Sequence, residues 1–160
     1  QNIIKLEQKN SKLFTSDIRK NAILFFISDL LNQVLRNENQ NQNIYSEISL
    51  FLSQLQMDNF QSHLIFIFRL LKQQGLQPLF SDKTYLNPES GNFEDIESHH
   101  FFNRDISAIW KELIVSQNPY DIKLSRLGKQ NFLDSVLVYF HYHFTDFREP
   151  KSLEIIKEIF

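Results

Sequence analysis

In segment after segment of this 160-residue chain, apolar residues recur three and four positions apart, the spacing that gathers them on one face of an α-helix. "SDIRKNAILFFISDLLNQVLR" carries Ile18, Ala22, Phe25, Phe26, Leu30 and Val34 at that period, with Thr15 or Ser16 placed to cap it. Its middle is apolar nearly all round, which predicts a central, buried helix. A polar stretch, "NENQNQN" at 37–43, is assigned no structure. Beyond it runs a cleaner stripe of Ile44, Ile48, Phe51, Leu52 and Leu55, backed by Ser and Gln. "NFQSHLIFIFRLLKQQGLQP" is a third helix, with Gly75 where a left-handed residue closes a helix and Pro78 blocking its continuation.

Residues 79–101 break this rhythm. Within them "TYLNPESGNFED" sets Pro88 and Gly91 between two short extended runs, a small hairpin. Helical spacing returns in "RDISAIWKELIVS" through Ile106, Ile109, Trp110 and Leu113. After Ser125 as a cap, a long helix to about Phe144 carries Phe132, Val136, Leu137 and Phe140. In "FREPKSLEIIKEIF", Pro150 suits a first helical turn and Ser152 is a candidate N-cap with Glu154 behind it. Leu153, Ile156 and Phe160 then share one stripe. A helix that short is unstable alone and must dock. "NIIKLEQKN" reads instead as a short strand-like arm. No fixed-period repeat is present, so a solenoid is not expected. The expected fold is mainly α: a compact bundle of about six helices, a β-hairpin or irregular insertion around 79–101, and the N-terminal strand-like arm.

The length fits one domain, and 16 Phe supply bulky core material. The absence of Cys excludes disulfides and Cys-ligated zinc or iron–sulfur sites and favours a cytosolic origin. No apolar run reaches the length of a membrane span. The first residues lack both a signal-peptide layout and an initiator Met, so a fragment is expected. Net charge is −2, without the basic excess of an isolated nucleic-acid-binding domain.

Catalytic chemistry finds little support. His141 and His143, two apart on a helix, point about 200° away from each other. His99 and His100, with Asp95 and Glu97, could assemble three metal ligands in a loop, although solvated His beside acids is the plainer reading. His63 reads as a polar-face or satisfied core residue. With three Gly, the chain has no phosphate-cradling loop, and no Ser sits in a nucleophile elbow. Glu94 and Asp95 are adjacent and alternate in direction. No catalytic residue, metal or cofactor is expected. The cations are more suggestive: Arg19 and Lys20 open the first long helix, Arg69 and Lys72 lie near the end of the third, and Arg148 and Lys151 flank Pro150. Lys123, Arg126 and Lys129 cluster near the fifth helix. They are either solvated ends or a modest anion-binding rim beside an apolar groove, suited to an acidic peptide or to phosphates. Scattered charges of this kind read no base edges.

Several stretches, taken in order, resemble the C-terminal helical domain of the RecO family of bacterial recombination mediators. "FIFRLLKQQGLQP" is similar to a family pattern F-E-L-R-L-L, three residues, G, two residues, P, through Phe66, Arg69, Leu70, Leu71, Gly75 and Pro78; Ile67 replaces the usual Glu. "REPKSLEIIKEIF" resembles the family's L-K-S-L-E-V-L segment through Lys151, Ser152, Leu153 and Glu154, with Pro150 for the more frequent Leu. "DIRKNAILFFISDLL" resembles the opening helix of the Bacteroidetes branch, which often begins D-I-R-K as Asp17 to Lys20 do. Where many members carry four zinc cysteines, this chain has "SDKTYLNPESGNFED". It resembles the cysteine-free branch through Tyr85, Gly91 and Phe93, so zinc is not implied.

The resemblance implies an OB-fold ahead of this domain, with residues 1–12 as the end of that barrel and 13–160 as the helical domain. It implies a bacterial, cytoplasmic, nucleoid-associated protein that is neither enzyme nor membrane-bound. The implied partners are single-stranded DNA, mainly through the OB-fold, RecR, and the C-terminal tail of single-strand-binding protein. The implied outcome is RecA loading and strand annealing, by binding without turnover. Arg69, Arg148 and Lys151 are the expected cations for the acidic, Phe-ending tail; Arg19, Lys20 and Lys72 are further partner or DNA contacts. Two other readings stay open: a generic helical protein–protein adaptor unrelated to repair, and a metal-dependent hydrolase built on His99 and His100.

Overall fold

The computed structural model describes the backbone of residues 2–35 and 42–160, with side chains from Asp17 onward. Six α-helices follow one another: α1 (Asn2–Val34), α2 (Gln42–Gln56), α3 (Ser62–Gln73), α4 (Arg104–Val115), α5 (Arg126–His143) and α6 (Leu153–Ile159). A two-stranded antiparallel hairpin, β1 (Tyr85–Asn87) and β2 (Asn92–Glu94), lies between α3 and α4. Most of the 37–43 connector lies outside the described residues, although Gln42 and Asn43 already belong to α2.

The central helix is α3. Its buried residues include Leu64, Ile65, Phe66, Ile67 and Phe68 in succession, which only a helix covered on every side can hide. The expectation that the first long helix is central is corrected. Ile23, Phe26, Ile27, Leu30 and Val34 of α1 face the core, but Ile18 is 46% and Phe25 69% exposed. The strand-like arm is corrected too, because α1 is helical from Asn2 and passes straight through Thr15 and Ser16. No Gly or Pro interrupts residues 2–34, and the Gln, Lys, Glu and Leu of "NIIKLEQKN" are good helix formers.

The end of α3 follows the sequence. Gly75 takes φ +71°, its N–H bonds the Lys72 carbonyl, and the Leu76 N–H reaches the Leu71 carbonyl. These are the paired closures of a Schellman motif. Tyr139 on α5 then donates its hydroxyl proton to the Leu76 carbonyl at 2.6 Å, fixing the chain as it leaves α3. In the hairpin, Leu86 pairs with Phe93, and the Asn87 side chain accepts the N–H groups of Glu89 and Ser90 across the turn. Gly91 at φ +73° completes that turn beneath the Tyr139 hydroxyl, where a Cβ would approach to 3.0 Å.

Ser107 on α4 ties the hairpin to the bundle by accepting the Leu86 N–H and donating to the Phe102 carbonyl. The core closes on Trp110, fully buried among Phe68, Phe102, Phe132 and Tyr139. Its indole N–H is satisfied by the Ser135 hydroxyl at 2.9 Å, so burying the polar end of this large side chain leaves no orphan donor. The Ser125 side chain caps α5 by accepting the Gly128 N–H at 2.9 Å. Ser152 does not cap α6: its backbone is already helical, and its hydroxyl donates to Asp29 on α1 at 3.2 Å.

On α2, Leu52 is 44% exposed, and Glu47 is buried on the inner face together with Ile44, Phe51 and Leu55. That carboxylate would be costly to bury alone. Arg69 of α3 supplies two charge-assisted bonds, Nε to Oε2 at 2.6 Å and Nη2 to Oε1 at 2.5 Å, and Gln73 adds a third contact at 3.3 Å.

Candidate functional site

A groove opens between α3, α5 and α6. Its cavity of about 210 Å³ is lined by His63 and Leu64 of α3, Lys129, Leu133 and Asp134 of α5, and Ile156, Lys157 and Phe160 at the end of the chain. The volume suits one aromatic ring, since a cavity of roughly 150 Å³ already accepts benzene. Beside it, Phe60, His63 and Phe160 form an aromatic shelf. The Phe160 ring lies 6.3 Å from Phe60 and 5.3 Å from His63, centroid to centroid. The Arg19 guanidinium covers that shelf, with Cζ 4.7 Å from the Phe60 centroid and 5.2 Å from that of Phe160.

The charges around the groove are unequal. Lys20 pairs with Asp58 at 2.9 Å, and Lys157 with Asp134 at 3.3 Å. Arg19 and Lys129 form no ion pair among the described residues. Burial, reinforced by the nearby Lys129 charge, pulls the pKa of His63 down to about 3 against a weak opposing pull from the Phe60 backbone. His63 is therefore neutral at physiological pH, and its Nδ1 has no hydrogen-bond partner among the described residues. Two cations with no ion pair among the described residues stand beside an apolar slot, an arrangement whose chemistry suits an acidic chain bearing an aromatic side chain.

The six residues expected to bind partners are not brought together. Arg19 lies over the aromatic shelf beside the groove, while Lys20 is paired with Asp58. Arg69 lies in the pair with Glu47, a hydrogen bond that raises its pKa further, and its side chain is only 22% exposed. Lys72 is exposed at the last turn of α3. Arg148 and Lys151 line a separate, polar cleft of about 800 Å³ with Asp29, Asn32, Gln33, Asp146, Glu149 and Pro150. There Gln33 holds the Arg148 backbone from both sides, accepting its N–H and donating to its carbonyl, each at 2.8 Å. Three carboxylates face two cations in that cleft, so its mouth is not a positive one. Sequence reasoning missed Phe60, His63 and Lys157 as groove residues. Phe160 was visible in the α6 stripe, and Lys129 in the basic cluster before and within α5.

The histidines diverge. The His99 ring accepts the Phe101 N–H and stacks on His100 at 4.8 Å, and burial together with the His100 charge lowers its pKa. His143 meets the Pro88 carbonyl at 2.8 Å, while His141 turns toward Phe147. No group of three His, Cys, Asp or Glu side chains among the described residues could hold a metal ion. No helix among them is long and apolar enough to cross a membrane.

Residues 15–103 match the family model for the recombination protein O C terminal. Among curated proteins, the chain is similar to DNA repair protein RecO of Christiangramia forsetii, 30% identical over an alignment of 151 residues that covers 88% of this chain and 62% of the relative. The RecO protein of Flavobacterium psychrophilum is 28% identical over 152 residues, 90% of this chain and 63% of its own length. That of Bacteroides fragilis is 26% identical over an alignment of 168 positions, gaps included, which covers 96% of this chain and 69% of the relative. The chain thus spans less than two thirds of the length of the first two. No solved structure matches it. With more than half of its length matched by that model, the chain belongs to the recombination protein O C-terminal family.

Proposed function

We propose that this chain is the helical module of a RecO-type recombination mediator, acting by holding partners without chemical turnover. The observation that carries the reading is the groove: an apolar slot sized for one ring, with Arg19 and Lys129 beside it and in no ion pair among the described residues. Its ligand in this proposal is the acidic, Phe-ending C-terminal tail of single-strand-binding protein. The slot, with the aromatic shelf that adjoins it, receives the ring, and the cations meet the carboxylates. RecR is the second protein partner. Single-stranded DNA is engaged mainly through an OB-fold upstream of residue 13, and the outcome is RecA loading and strand annealing in the bacterial cytoplasm. Because residues 2–12 are helical, they would join that barrel to the module.

Fluorescence anisotropy of a labelled tail peptide tests the site. Binding at tens of micromolar that weakens with added salt is expected. A flat titration overturns the reading.

A further inference from the structure

We infer that α6 is a gate on this groove, and that Phe160 occupies, in the closed molecule, the aromatic shelf that a ligand's own aromatic side chain takes when the helix swings out. The inference rests on the reading above and adds how the site is regulated. Phe160 already makes the contacts an incoming ring would need: the Phe60 ring, the His63 ring, and the Arg19 guanidinium at 5.2 Å. The adjoining cavity is walled in part by Ile156, Lys157 and Phe160 themselves, so it widens toward the shelf once that ring has left.

The walls of the groove are not equally fixed. His63, Leu64 and Leu133 belong to α3 and α5, helices of 12 and 18 residues, and Ile156 of α6 is as buried as they are, so the walls differ in the length of their helices and not in burial. The outer wall is a seven-residue helix, too short to hold itself together in isolation. It is fastened by the buried side chains of Leu153 and Ile156, by the Ser152–Asp29 bond at 3.2 Å, and by the Lys157–Asp134 pair. The Lys157 side chain is 46% exposed, so that pair is screened by water and adds little. Phe160 itself is only half-buried. When the competent state is only fractionally populated, apparent affinity falls by that fraction, so a closed α6 weakens binding until something displaces it.

The sign of one substitution decides the matter. In anisotropy titrations with the same labelled tail peptide, Phe160→Ala is expected to bind about threefold or more tightly than the parent chain. Unchanged or weaker binding by the variant, with the parent still binding, overturns the gate and leaves the groove reading standing. No binding by either protein overturns both. Should Phe160→Ala fail to fold, amide hydrogen exchange on the parent chain gives a second readout. Saturating peptide is expected to accelerate exchange across residues 153–159, and slowed or unchanged exchange there overturns the gate.

Discussion

Arg69 and Arg19 sit on helices that pack against each other, yet only one of them keeps a charge to offer. At the α2–α3 seam the Arg69 fork is closed on both oxygens of a buried carboxylate. At the groove Arg19 lies across two aromatic faces and meets no carboxylate among the described residues. The difference lies in what the neighbouring helix supplies, since α2 presents Glu47 from its inner face while the Phe60–Phe160 shelf presents only rings. A cation's value to a partner depends on whether its own fold has already neutralised it.

The seam is where this contrast breaks most violently. Arg69→Ala leaves the buried Glu47 carboxylate without its ion partner and is expected to cost about 3–5 kcal/mol in urea unfolding, whereas Glu47→Ala leaves a guanidinium that water partly reaches and is expected to cost less. Replacing both at once, Glu47→Leu with Arg69→Met, is expected to recover most of that loss, because an apolar pair of similar volume needs no desolvation of charge. A double variant as unstable as the single ones would show that the pair contributes more than mutual neutralisation.

Acid separates the regions next. His63 is held at about 3 inside the fold, against about 6.5 for an unperturbed ring, so the unfolded chain takes up the proton first. The sign follows from that order. Stability from this residue is fully present above pH 6.5 and falls as pH drops below it, levelling off only near pH 3. The slope is at most about 1.4 kcal/mol per pH unit. His63→Gln is expected to remove this part of the acid sensitivity, so the stability gap between parent and variant should narrow steadily from pH 7 to pH 4. A gap independent of pH would mean that the ring is protonated within the fold.

At the groove itself, Arg19→Gln is expected to weaken the tail peptide about tenfold while changing unfolding stability by only about 0.5–1 kcal/mol, the scale of an exposed cation–π contact. The seam variants should show the opposite split, with large stability losses and peptide affinity retained under conditions where they remain folded.

Much of this architecture was legible because its signals are local. The α3 terminus needs only Gly75 and its neighbours, the hairpin only Pro88, Gly91 and short extended runs, and the α5 cap only Ser125. What escaped depends on distant partners. An apolar run such as "AILFFISDLL" gives the period of α1 but not what covers each face, so the exposure of Phe25 could not be read from it. Glu47 occupies an inward helical position that spacing alone marks as apolar, and only Arg69, 22 residues away, makes its burial tolerable. Ser152 has the composition of a cap but is drawn toward Asp29 from α1. The groove escaped for the same reason, since Arg19, Phe60, Lys129 and Phe160 converge only after the helices pack.

The smallest expected effect sharpens the contrast most, because it concerns the cations that the sequence made most attractive. Arg148 and Lys151 flank Pro150 and appear, on paper, to guard the entrance to α6. Folded, they share their cleft with Asp29, Asp146 and Glu149, and Gln33 grips the Arg148 backbone through bonds that no side-chain substitution touches. Exchanging both for Gln removes two exposed charges without exposing core or orphaning a buried group. Stability is therefore expected to stay within about 0.5 kcal/mol. Peptide affinity should change less than about twofold in the same anisotropy assay, and the salt dependence of binding should be retained. A tenfold loss would move the site to the polar cleft and make the Arg19 shelf a purely structural contact. A small change beside a large one for Arg19→Gln would locate the tail where the uncompensated cations are.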